Sequence, residues 1–179
     1  MLIDEFLPDY QIRKKHQVTV QSSPEETFER VRLLDISQAR FSMMLFRFRG
    51  LSASEKFTLK DFLKMRFVLL GEKENEELLL GLAGQFWTPT GKLHRLDPDD
   101  FRKFDEPGNA KAVWNFSLKD RGKNNVVLET ETRIQCLDET SWKRFRLYWL
   151  AIGSFSGLIR REILWTLKRQ AEFVSSKIA

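Results

Sequence analysis

Asn125-Val126-Val127-Leu128-Glu129-Thr130-Glu131-Thr132-Arg133-Ile134-Gln135-Cys136-Leu137-Asp138 is the stretch that decides the fold. Its residues alternate. Val126, Leu128, Thr130, Thr132, Ile134 and Cys136 take one face, and Glu129, Glu131, Arg133 and Gln135 take the other. Period two over this length predicts a long strand, with an apolar face inward and a wet face outward, as in an antiparallel sheet. Asp138 then reads as the N-cap of a long helical segment running to about Val174. Phe145, Trp149, Ile152, Ser156, Ile159 and Ile163 form its apolar stripe. Gly153 and Gly157, with Ser154 and Ser156, predict a kink or break in it.

Working backwards, Ala110 to Asp120 is a strand with Trp114, Phe116 and Leu118 on one face, and Arg121–Asn124 is the turn that follows it. Leu78 to Trp87 is a strand in which Gly81 and Gly84 predict a bulge or close backbone approach. Thr88–Gly91 is a turn and Lys92 to Leu96 a short strand. Asp97 to Phe104 is a brief helical turn. Phe67–Leu70 is a further strand, and Leu59–Met65 a short helix. Between 37 and 50, Phe41, Met44, Leu45 and Phe48 fit one helical face, with Gly50 closing it. Residues 11–21 alternate, with Ile12, Lys14, His16, Val18 and Val20 on one side. Ser23-Pro24 with Glu26 reads as a capping box that starts a helix directly after this strand. Residues 1–10 read as a loosely attached arm.

The order strand, helices, antiparallel strands, long helix gives an α+β fold. The expectation is a single domain over 1–179, a curved antiparallel sheet wrapped around a long C-terminal helix. With 179 residues, such a domain needs no disulfide staples, and Cys136 is the lone cysteine. A reducing, cytoplasmic setting is expected. The acidic Met1–Glu5 start does not resemble a signal peptide, and the uncharged stretch Leu147 to Ile159 is too short to span a bilayer. The net charge of +5 is concentrated at the end of the chain, where Asp138 to Ala179 holds eight basic and four acidic residues. With 25 acids mixed through 30 bases, no nucleic-acid partner is expected, whereas transient contact with a membrane surface through the basic terminal helix is compatible.

Lys111-Ala112-Val113-Trp114-Asn115-Phe116, Glu129-Thr130-Glu131-Thr132-Arg133, Phe145-Arg146-Leu147-Tyr148-Trp149 and Ser156-Gly157-Leu158-Ile159-Arg160-Arg161 resemble a bacterial group of the START-like, pollen-allergen-like superfamily, called SRPBCC. The coarse resemblance covers about residues 11–173, and the specific words lie between Leu79 and Arg161. It implies a helix-grip fold with a hydrophobic ligand cavity, and does not by itself imply catalysis. The expected function is binding or carriage of a small hydrophobic or amphipathic molecule, lipid or polyketide-like, between the sheet and the terminal helix. The residues expected to line that site are Phe86, Trp87, His94, Trp114, Phe116, Thr130, Thr132, Phe145, Trp149, Ile152 and Phe155.

The alternative is a cyclase or dehydratase using the same cavity, with His94, Arg95 and Glu131 as its candidates. Two isolated histidines and one cysteine do not make a metal site, and no phosphate loop, dinucleotide fingerprint or nucleophile elbow is present, so no cofactor is expected. Glu129, Glu131 and Arg133 are expected to form cross-strand ion pairs on a solvated outer face.

Overall fold

The computed structural model describes residues 1–48, 56–88 and 91–178, without the side chains of 45–48, 154 and 178. The elements run α1 (Leu2–Phe6), β1 (Ile12–Val20), α2 (Pro24–Leu33), α3 (Arg40–Phe48), α4 (Leu59–Lys64), β2 (Val68–Lys73), β3 (Glu77–Gly84), α5 (Pro98–Lys103), β4 (Ala110–Asp120), β5 (Val126–Cys136) and α6 (Glu139–Ile178). The expected helix stop at Gly50 and the middle of the turn at Pro89-Thr90 lie outside the described residues.

The five strands form one curved, unclosed antiparallel sheet in the order β1-β5-β4-β3-β2. The first strand therefore pairs with the last, as a helix-grip fold requires. Three helices separate β1 from β2, which lies at the far edge of the sheet. Hydrogen bonding aligns Leu82, Ala112, Ile134 and Ile12 across four strands. One step along, Leu80, Trp114, Thr132 and Lys14 are aligned, and then Leu78, Phe116, Thr130 and His16. Since paired residues share a face, these rows are the surface presented to α6.

Local chemistry sets the helix ends. The Ser23 hydroxyl accepts the Glu26 N–H at 3.2 Å, while Leu34 ends α2 in the left-handed region. The Glu26 carboxylate does not complete the box. It accepts the hydroxyls of Ser22 and Ser175 instead, tying α2 to α6. Asp138 caps α6 by accepting the N–H groups of Thr140 and Ser141 at 2.8 and 2.9 Å, and also that of Gly108. These backbone hydrogen bonds, led by that from Ser141, hold its carboxyl below the usual range. The expected break in α6 does not occur: the helix continues through Gly153 and Gly157. Hydrogen bonds of the continuous ladder and packing along the sheet outweigh the roughly 1 kcal/mol that each glycine costs.

The main core lies between the sheet and α2, α4 and α6, around Val20, Phe28, Phe62, Phe116, Leu128, Leu164 and Leu167. The other sheet face is not wet, as the alternation led us to expect. It carries a second core of Ile3, Phe6, Leu7, Leu70, Leu79, Ala83, Phe101, Phe104 and Val113. The supposed loose arm supplies three of these side chains. Glu77 accepts the N–H groups of Leu2 and Ile3 at 2.7 and 3.4 Å, capping a helix too short to hold itself.

Candidate functional site

A cleft of about 220 Å³ lies between the sheet and α6. Its floor is the row Leu82, Ala112 and Ile134, with Trp114 and Thr132 beside it. Ala112 is the small member of that row, so the sheet surface is low at this point. Phe62, Met65, Phe67 and Phe86 also line it. Phe145, Tyr148, Trp149, Ile152, Ser156, Ile159, Arg160 and Ile163 form the opposite wall. Spacings of three and four along one helix place them on the same face.

Six expected residues meet here: Phe86, Trp114, Thr132, Phe145, Trp149 and Ile152. Trp87 does not line the cleft. It packs edge-on against Phe86 and Phe145 at 5.6 and 5.8 Å between centroids, supporting them from behind. Both Phe86 and Trp87 follow the end of β3 at Gly84 rather than belonging to it. Phe116 and Thr130 sit one row further along the sheet, under the filled main core. The Thr130 hydroxyl accepts the Trp114 indole N–H and donates to the Asn115 carbonyl, both at 2.7 Å, so it is satisfied within the sheet. Phe155 is exposed on α6 and stacks on Phe41 at 6.5 Å.

His94 also lies away from the cleft. The expected strand from Lys92 to Leu96 is reduced to a single bridge, Gly84 with Leu93. His94 packs on Phe104 at 4.8 Å, its Nε2 3.9 Å from the exposed Glu106 carboxylate. Arg95 is exposed.

Glu131 faces the second core. Arg13 donates to it twice, at 2.9 Å each, and Arg133 donates at 2.7 Å. Arg133 also donates to the Leu7 carbonyl at 3.1 Å and to Asp4 at 2.7 Å. Glu129 pairs with Lys15 at 2.7 Å and Lys119 at 3.5 Å. The expectation of ion pairs was sound, but these acids are buried, because α1 and neighbouring side chains cover them. Burial alone would raise the Glu131 carboxyl, but the hydrogen bonds from Arg13 and Arg133 outweigh it and lower its pKa. Such a carboxylate stays ionised and occupied, a poor general acid. Burial pushes the Cys136 thiol up to about 12, which leaves it inert as a nucleophile at neutral pH.

Arg160 is a functional candidate that the sequence reading passed over. Its Nε donates to the Thr132 hydroxyl at 2.7 Å, and Nη1 donates to the Ser156 carbonyl at 2.8 Å and to the Ser156 hydroxyl. Burial lowers its pKa to about 10. The signal was its place four residues beyond Ser156 on the stripe that holds Phe145, Trp149 and Ile152.

Among the described residues, no group of three or more histidine, cysteine or carboxylate side chains is placed to hold a metal. No helix among them is long and apolar enough to cross a membrane. Comparisons of the chain with family models, with curated proteins and with solved structures find no match.

Proposed function

We propose that this chain is an SRPBCC-type protein that binds or carries a small hydrophobic or amphipathic molecule in the cleft between its sheet and α6. One observation carries the reading: an apolar, aromatic-walled cleft with a few convergent polar groups, where the helix stands off the Leu82-Ala112-Ile134 row. Apolar walls supply affinity by desolvation, and a few polar groups fix orientation. At about 220 Å³ the cleft lies just below the roughly 300–1,000 Å³ of drug-sized ligand sites, which suits a small ligand such as a medium-chain tail or an aromatic acid.

The cyclase or dehydratase alternative has less support. His94, Arg95 and Glu131, the residues it named, are absent from the cleft lining, and two of them are either exposed or locked in ion pairs. For loading or delivery, contact with an anionic membrane surface remains part of the proposal. Leu147, Leu150, Leu158 and Trp165 are exposed on α6, a helix that also carries Lys143, Arg144, Arg146 and Arg161.

The test is native mass spectrometry of protein purified from its own host, with displacement of a fluorescent fatty-acid analogue. A bound small molecule and displacement by apolar compounds are expected. Ala112→Phe, which raises the floor, should weaken displacement at least tenfold while the far-ultraviolet circular dichroism is kept. No bound species and no displacement across several lipid classes would overturn the reading.

A further inference from the structure

Arg160 is the only charged side chain among the described residues that line the cleft. A guanidinium has five N–H donors. Nε and Nη1 are used on Thr132 and Ser156, while Nη2 makes no hydrogen bond to any described residue and is not sealed among buried unpaired atoms. No carboxylate among the described residues lies within ion-pair distance of Arg160. Its sequence neighbour Glu162 is occupied elsewhere, accepting the N–H groups of Phe41 and Ser42 and the Ser42 hydroxyl. Glu131 is on the opposite sheet face, held by Arg13 and Arg133.

The surroundings add positive charge. Lys14 is paired in register with Thr132, and His16 lies one row away, opposite Thr130. The His16 Nε2 is buried without a hydrogen-bond partner, 3.7 Å from where a Cβ on Gly157 would stand. Burial, together with the charges of Arg161, Arg160 and Lys14, lowers the His16 pKa, so this histidine tends to neutrality rather than adding to the cationic charge. A cation set at the edge of an apolar cleft without an anion is costly unless something else supplies the anion.

We propose that the cleft selects a carboxylate-bearing amphiphile, with Arg160 as the counterion of its head group and the aromatic walls holding its tail. This rests on the cleft being a ligand site. The open Nη2 edge can donate to a carboxylate oxygen, and the hydroxyls of Thr132 and Ser156, which already accept from Arg160, retain their own protons to donate. The depressed pKa of Arg160 agrees with a cation held without its partner.

The experiment compares decanoate with 1-decanol at pH 7.5 by displacement of a fluorescent probe and by quenching of tryptophan emission. The two share a tail and differ in the head. The wild-type protein should bind the acid at least tenfold more tightly. Arg160→Met should bring the acid-to-alcohol affinity ratio down to about one, and Arg160→Lys should restore part of it. Equal binding of acid and alcohol by the wild type, which requires no variant to fold, would overturn the counterion role and leave the apolar cleft standing. Persistence of the acid preference in Arg160→Met would overturn it as well. Failure of both compounds to bind would overturn the cleft reading, and this inference with it.

Discussion

Glu131→Gln separates the structural carboxylates from the cleft. Glu131 has a side chain 5% exposed and stands between Arg13, 46% exposed, and Arg133, 7% exposed. Removing its charge affects the two arginines unequally. Arg13 can regain water, so its share resembles a surface pair, about 0–1 kcal/mol. Arg133 cannot. It keeps the carbonyls of Ile3 and Leu7 and the half-exposed Asp4, but loses its buried partner. Breaking a buried pair costs about 3–5 kcal/mol, and the amide oxygen of Gln retains part of the hydrogen bonding. The expected loss is therefore about 2–3 kcal/mol, or about 5–10 °C in Tm for a domain of this size. The sign with pH follows from the lowered pKa. A depressed carboxyl contributes stability that is complete above its unfolded value, near 4.5, and is lost as pH falls through the lower folded value. The gap between wild type and variant should be full at pH 7 and narrow on acidification below about 4.5. Urea unfolding followed by circular dichroism across that range measures it. A loss below 1 kcal/mol at pH 7, or a gap that does not narrow, would refute the assignment. Binding of decanoate by the folded variant should be unchanged, since Glu131 faces away from the cleft.

The backbone of β3 offers a second test. Gly84 has φ of +136°, and a Cβ there would stand 2.5 Å from the Lys92 carbonyl oxygen and 2.9 Å from the Leu93 Cα. Gly84→Ala should cost about 2–4 kcal/mol, from backbone strain plus overlap with backbone atoms that cannot rotate away. Gly122, with φ of +75° and nothing within 4 Å, should cost only about 1 kcal/mol as alanine. Equal losses for the two in chemical denaturation would show that the close approach of Leu93 to Gly84 is not a constraint.

The frame of the molecule was readable because its elements are long and periodic. β5 and β4 show period two over eleven residues each, and Asp138 marks the start of α6. The cover on the second sheet face was not readable. α1 is five residues long, too short for a hydrophobic period to register, and its fixation depends on Glu77, which lies 75 positions from Leu2. Alternation reports which residues share a face, not what lies on it. Glu129, Glu131 and Arg133 were placed on the correct face, and only the cover that buries them was missed.

The cleft divided along the same line. The aromatic rows were visible as patterns, but which row stays open depends on Ala112 lying across from the helix, and no period encodes that. Arg160 was passed over for a related reason. Arginine on a helix is most often solvated, and its stem can cover apolar surface while the head reaches water. Here the head turns back onto Ser156 and across to Thr132. Both partners are legible separately, Ser156 in the helix stripe and Thr132 on the inward strand face. Had the four-residue step from Ser156 to Arg160 been read together with Thr132, the stripe would have registered as an apolar wall carrying one cation. Such a wall fits the proposed amphipathic anion, whereas an unbroken aromatic stripe would have suited a closed core.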